Sequence, residues 1–221
     1  GRVTERDIQV GVILASVLML VPNVAIAPLF VAALVLLGYS FLMFRYFFVP
    51  HLLRDNLLPN LATHNPVVAL VVLYTATVVT SSHGLALIDL GGTNLVLLIV
   101  FFWPATFAWE IARKIRSPEE ENEYVTYSQI FGPRRAVFVA AGAQFVTVIT
   151  GLYLLVHLEL SLLFPVVLLA SFAAALWGHL RFLFRPGPAT SALRPWAEAF
   201  LFGVLASAIL EFHFGEHFGG F

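Results

Sequence analysis

The chain contains no cysteine, so it has no disulfide framework, no thiolate nucleophile and no Cys-ligated zinc or iron–sulfur cluster. Charge is also scarce. Only 11% of the 221 residues are charged, whereas a soluble globular domain carries about 25%. Hydrophobic residues make up 60%, and the mean hydropathy is +0.90. A water-soluble domain is therefore excluded, and the composition is that of an integral membrane protein. Twelve Lys and Arg stand against 13 Asp and Glu. That balance gives no strongly basic face, and a nucleic-acid partner is set aside. No Gly/Ser-rich linker, internal repeat or low-complexity tract divides the chain, which reads as one domain over residues 1–221. What is abundant is apolar and aromatic: 21 Phe and four Trp suit a lipid-facing surface.

A spanning helix needs about 20 apolar residues at 1.5 Å rise each. Seven runs qualify: 8–22, 24–44, 66–82, 94–112, 136–157, 162–181 and 196–212. The first two are separated at Pro22-Asn23, because one unbroken helix would be about 55 Å long and a bilayer offers roughly 30 Å of hydrocarbon. The fold class predicted is an all-α polytopic membrane bundle of seven transmembrane helices. Cation placement supports the count. Arg2 and Arg6, Arg45 and Arg54, the group Arg113, Lys114, Arg116, Arg134 and Arg135, and finally Arg181, Arg185 and Arg194 all fall on one side. The opposite loops carry no Lys or Arg, so the N-terminus is expected inside and the C-terminus outside, in a cytoplasmic or inner membrane. Residues 46–65, interrupted by Pro50 and Pro59, read as an interfacial connector.

The longest polar stretch is WEIARKIRSPEEENEYVTYSQIFGPRR, residues 109–135. If the helix continues past Glu110, Arg113 and Lys114 lie at i+3 and i+4 and share its face at the membrane surface. Carboxylates can hold Mg²⁺, and Arg and Lys can neutralise phosphate oxygens directly. This combination suits a diphosphate, although a solvated loop laced with salt bridges has the same composition.

The pattern resembles the UbiA superfamily of intramembrane prenyltransferases. The residues that carry the resemblance are the leading Gly1-Arg2-Val3-Thr4, the pair Tyr39-Ser40 after Gly38 followed by Arg45, and the run Tyr124-Val125-Thr126-Tyr127 leading to Phe131-Gly132 after an acidic loop. The likeness covers the whole chain as the last seven helices of a nine-helix fold. It implies transfer of an isoprenyl group from its diphosphate to an aromatic or lipid acceptor, with Mg²⁺ and cations stabilising the departing charge. By position, Glu110 and Glu119 would be the catalytic acids and weak Mg²⁺ ligands. Arg113, Lys114, Arg116 and Arg45 would bind the diphosphate, and Tyr39 and Trp109 would line the prenyl or acceptor pocket. The site would lie between the loop at 110–123 and the connector at 46–65.

The chain departs from the family pattern in two ways. The first acidic motif, of the Asn-Asp-x-x-Asp type, would lie upstream of Gly1, and Lys114 or a neighbour stands where the second motif has its middle acid. Either a longer protein supplies the missing motif, or the fold serves as a scaffold or a lipid-, quinone- or pigment-binding subunit among partner membrane subunits. A third reading, a cation permease, draws on the outer-side His and acids, including His213 and His217 at i and i+4. It lacks the intramembrane polar path that transport requires. His179 and Glu198 lie near the inner ends of their spans and are expected to snorkel, with a place facing the bundle as the alternative for either. Thr75, Thr77 and Thr80 read as packing residues.

Overall fold

The computed structural model describes residues 4–54 and 56–218, with the side chains of Glu5, Glu216, His217 and Phe218 outside the described set. Gly1, Arg2 and Val3, part of the sequence reading above, also lie outside it. Seven segments are long and apolar enough to cross a membrane: Arg6–Asn23, Ala27–Phe44, Leu57–Ser82, Gly92–Ala112, Pro133–His157, Leu163–Phe184 and Arg194–Gly215. The all-α polytopic architecture is thus as the sequence predicts, and no strand occurs among the described residues. The chain divides into two compact units, Gly1–Leu95 and Val96–Phe221.

In the first unit, α1 (Glu5–Leu20) starts with a capping box in which Thr4 and Asp7 exchange side-chain and backbone bonds. It ends in a 3₁₀ turn, Val21–Asn23, where Pro22 removes a helical donor. Asn23 is buried. Its amide donates to the Met19 carbonyl and, at 3.0 Å, to the Tyr74 hydroxyl, so the hairpin turn is tied to α5 (Val67–Ser82). The second span, α2 (Ala27–Phe44), has 18 residues, about 27 Å of rise, close to the roughly 30 Å of bilayer hydrocarbon. It packs mainly on α5.

The 46–65 connector holds two short helices, α3 (Pro50–Leu53) and α4 (Leu57–His64), and α4 leads through Asn65-Pro66 directly into α5. Before α3 the backbone turns left-handed at three successive residues, Tyr46, Phe47 and Phe48, with φ of 48°, 50° and 61°. None is glycine, and each costs about 1–2 kcal/mol in that region. The turn is held by bonds from Phe48 N–H to Arg45 O and from Val49 N–H to Tyr46 O, both 2.9 Å. Phe47 further sets its ring edge-on to Tyr39 at 5.5 Å and to His64 at 5.9 Å.

The second unit is built on α8 (Pro133–His157), α9 (Leu163–Phe184) and α10 (Arg194–Phe218), with most of α6 (Gly92–Ala112). The tightest seam joins α9 to α10 and is made by small residues: Gly203 faces Ser171, Gly178 faces the Trp196 indole, and Ala175 and Ala197 are fully buried. Gly151 of α8 accommodates Leu168 and Phe101. Around these contacts Phe101, Phe164, Leu168, Phe200 and Val204 form the apolar core. Glu211 of α10 accepts bonds from the Ser161 N–H at 2.8 Å and the Ser161 hydroxyl at 2.6 Å, fixing the turn between α8 and α9.

Threonines of α5 bond back to the preceding turn, Thr75 to Val71 O and Thr77 to Leu73 O. These bonds satisfy the hydroxyls within the helix and fit the packing role read from the sequence.

Candidate functional site

The arginine-bearing end of α6 gathers the residues that the sequence singles out. Both carboxylate oxygens of Glu110 are engaged by cations. Arg113 donates to them through Nε and, at 2.9 Å, through Nη2, and Lys114 Nζ lies 3.1 Å from Oε1. The helical i+3 and i+4 spacing therefore does place acid and bases on one face. The Arg113 guanidinium also stacks over the Trp109 ring at 5.1 Å, and Lys114 sits over the Tyr127 ring at 5.8 Å.

Trp109 closes a second link. Its Nε1–H donates to Glu198 Oε1 at 3.2 Å, and that same oxygen accepts from Arg194 Nε at 2.7 Å. Glu198, expected to snorkel, is instead bridged between α6 and its own helix. His179 departs further from that expectation, because it is completely buried in α9. The small residues beside it let α10 approach closely, and this approach excludes the ring from the surface.

The loop after α6 folds back on itself rather than spreading into solvent. Tyr127 N–H donates to Lys114 O at 3.1 Å, and Arg116 N–H donates to the Ser128 hydroxyl at 2.9 Å. Two capping boxes follow from the sequence pattern of Ser or Thr with an acid or amide three residues on: Ser117 with Glu120, and Thr126 with Gln129 at the start of α7 (Tyr127–Phe131). Thr126 also donates to Glu121 at 2.8 Å. Gly132, at φ 81°, ends α7 and lets Pro133 open α8, a conformation that glycine adopts without strain.

Glu120 is held below the usual carboxylate range by the Ser191 hydroxyl first and by Ser117, against an opposing effect of burial. Tyr127 is wholly buried, and that burial raises its phenol well above the ordinary range. Glu110 adds to the rise and Arg113 offsets part of it. The phenol stays neutral, with its hydroxyl lacking a protein partner.

Between this loop and the start of α10 lies a cleft of about 200 Å³, lined by Arg113, Arg116 and Arg194, with Glu120 and Ser191 on its wall. Arg194 and Ser191 were not named as ligand-binding residues from sequence. The signal that could have found them is the run Thr190-Ser191-Ala192-Leu193-Arg194, a polar segment at the start of the last span on the same predicted side as the acidic loop.

Glu119 is exposed on the turn Pro118–Glu120, and its neighbour Glu120 is the acid bound into the loop. Tyr39 and Arg45 belong to the first unit. There Tyr39 donates to Thr63 O at 2.7 Å, and Arg45 lines a groove of about 500 Å³ with Gln9, Phe44, Tyr46 and Phe48. No family model, curated protein or solved structure matches this chain.

Among the described residues no three His, Asp or Glu side chains come together, and Glu110 has both oxygens engaged by Arg113 and Lys114, so a magnesium ion there would draw most of its ligands from phosphate and water. His213 lies on the helical stretch of α10 with its Nδ1 3.0 Å from Ile209 O, and its i+4 partner, the His217 side chain, lies outside the described residues.

Deeper in the second unit, Gln144 and Thr147 share one face of α8, and both are fully buried. Neither their side-chain polar atoms nor the two ring nitrogens of His179 have a protein partner. An unpaired buried polar group costs about 1–3 kcal/mol, and an apolar group of the same shape removes that cost. Gln144→Leu should therefore raise the thermal unfolding midpoint of the detergent-solubilised protein by several degrees. A fall instead would mean that the amide has a polar partner in the membrane.

Proposed function

We propose that this chain is a UbiA-like intramembrane protein that binds an isoprenyl diphosphate in the arginine cleft and transfers the isoprenyl group to an aromatic or lipid acceptor. The observation that carries the reading is the convergence of Arg113, Arg116 and Arg194 on one cleft at the end of a membrane span. A diphosphate is the anion that such a set recognises, since guanidinium groups grip phosphate oxygens in pairs. The prenyl chain would run from there into the apolar bundle.

Within the cleft the charge of the diphosphate would be met by Arg113, Arg116 and Arg194, with Lys114 beside them on Glu110. The proposal includes orientation: the cation-rich loops face the cytoplasm and the C-terminus lies on the far side of a cytoplasmic or inner membrane.

A second reading has its own support. Glu110 has both oxygens engaged by Arg113 and Lys114, which favours a catalytically silent subunit that holds an anionic isoprenoid, quinone or pigment for partner membrane subunits. One experiment separates the two. The protein in nanodiscs is given geranylgeranyl diphosphate, with and without Mg²⁺ and hydroxyaromatic acceptors. Binding is read by equilibrium dialysis and product by mass spectrometry.

Prenylated product supports the enzyme, binding without product supports the subunit, and no binding overturns the enzyme together with any subunit that holds an isoprenyl diphosphate. Glu110→Gln sharpens the result. Freed from their carboxylate, Arg113 and Lys114 should bind the diphosphate about tenfold more tightly, roughly 1.4 kcal/mol. Turnover should fall in the same variant if Glu110 takes part in transfer.

A further inference from the structure

A second, larger recess lies on the last two turns of α9 and the loop that follows, away from Glu110 and its partners. Trp177, Leu180, Arg181, Phe184 and Arg185 line it together with the loop Gly187–Thr190, and it encloses about 640 Å³. Its walls are apolar and open to the surroundings: Trp177 is 60% and Phe184 79% exposed. Exposed Trp and Phe at the end of a spanning helix belong to the zone where acyl chains meet headgroups.

Two cations stand in this apolar frame. Arg181 stands in the last turn of α9 and Arg185 is the residue that caps its end, so both belong to the same end of one span. Both are exposed, no acid lines the recess, and neither arginine has an ion-pair partner among the described residues. This differs from the other arginine cleft, where Glu110 and Glu198 already neutralise Arg113 and Arg194.

The floor is fixed in advance. Thr190 donates to Arg185 O at 2.6 Å and to Gly187 O at 3.1 Å, so the loop is folded against the end of the helix. The only residue common to this recess and the cleft beside Glu110 is Pro188.

We infer that this recess is a binding site for an anionic phospholipid of the surrounding leaflet, and that it prefers a lipid with two phosphates, of the diphosphatidylglycerol type. Two guanidinium groups lining one recess at the end of the same span, neither held by an acid, match two phosphates on one headgroup, each able to accept paired N–H bonds. The Trp177 and Phe184 walls match acyl chains. A free phosphate would leave those walls uncovered, and a single-phosphate lipid would leave one arginine unmatched. The assignment does not depend on the diphosphate cleft or on any transfer reaction.

The test is native mass spectrometry of the full chain released from vesicles of phosphatidylcholine doped in turn with diphosphatidylglycerol, phosphatidylglycerol or geranylgeranyl diphosphate, with inorganic phosphate as a soluble control. The expected result is retained diphosphatidylglycerol, at least tenfold preferred over phosphatidylglycerol. That retention should be lost about tenfold in R181Q/R185Q and kept in R134Q/R135Q, which removes the same charge from another exposed pair. Both double variants change exposed side chains, and circular dichroism with melting in detergent checks that each is folded.

Equal loss in the two double variants would overturn the site, because it would reduce the effect to general electrostatics. Undiminished retention in R181Q/R185Q would also overturn it. Preferential retention of geranylgeranyl diphosphate or inorganic phosphate, abolished by R181Q/R185Q, would overturn the lipid assignment and give the recess to another phosphate source.

Discussion

Replacing Arg113 and Arg116 together with Gln should weaken binding of geranylgeranyl diphosphate by about a hundredfold. Hydrogen bonds to charged groups contribute about 1.5–3 kcal/mol each, and partial exposure of these side chains reduces that to roughly tenfold in affinity per arginine. Arg113 is 38% exposed, and it keeps Nη1 free of Glu110 while Nε and Nη2 hold the carboxylate. Arg116 has no carboxylate within ion-pair distance among the described residues and lines the same cleft. Arg194 holds Glu198 through Nε and keeps both Nη groups free, so Arg194→Gln should cost about as much as losing Arg113.

Equilibrium dialysis in nanodiscs at low and high salt measures all three. Binding that survives in the double variant would remove the cleft from the functional reading, whatever the transfer assay shows. The affinity should also fall with added salt, since exposed charges are screened over about 8–10 Å at ordinary ionic strength.

The second large effect concerns the scaffold. Gly178→Leu should abolish the folded protein or lower its stability by about 3 kcal/mol or more, because a Cβ at that position overlaps the Trp196 indole on the facing helix. Gly203→Leu, opposite Ser171, should behave in the same way. Gly142→Ala gives the contrast, since a Cβ there meets nothing within 4 Å and the helix loses a flexible residue. Thermal unfolding in detergent, followed by circular dichroism, would show a normal or raised midpoint for Gly142→Ala and little or no cooperative transition for Gly178→Leu. A normal transition for Gly178→Leu would mean that α9 and α10 are not packed as described.

The spans were legible because a bilayer imposes length and hydropathy, two quantities that can be read without knowing any contact. The break at Pro22-Asn23 was equally visible, since proline interrupts the helical ladder, whereas the third span, read from residue 66, begins at Leu57. The run at Tyr46–Phe48 was not. Nothing in Tyr-Phe-Phe signals left-handed backbone, and part of its support comes from the rings of Tyr39 and His64, which pack on Phe47 from outside the run.

The same limit applies to the site. Glu110 with Arg113 and Lys114 follows from helical spacing, so that cluster was accessible from one segment. Trp109 with Glu198, and Arg116 with Arg194 across one cleft, join segments about 80 residues apart, and no local pattern reports them. His179 was read from its place near the end of a span. Its burial follows instead from Gly178 beside it, which lets α10 come close.

The folded-back loop after α6 has an entropic consequence. Its backbone and side chains already satisfy one another through Ser117, Glu120, Thr126 and Gln129, so the cleft wall has little freedom left to lose. An arriving anion is not required to order a segment of chain, and the cost of association is confined to its own motion and to stripping water from the guanidinium groups. If the cleft takes the proposed diphosphate, its occupancy should follow changes in ligand concentration without a slow conformational step, which rapid-mixing binding kinetics would check.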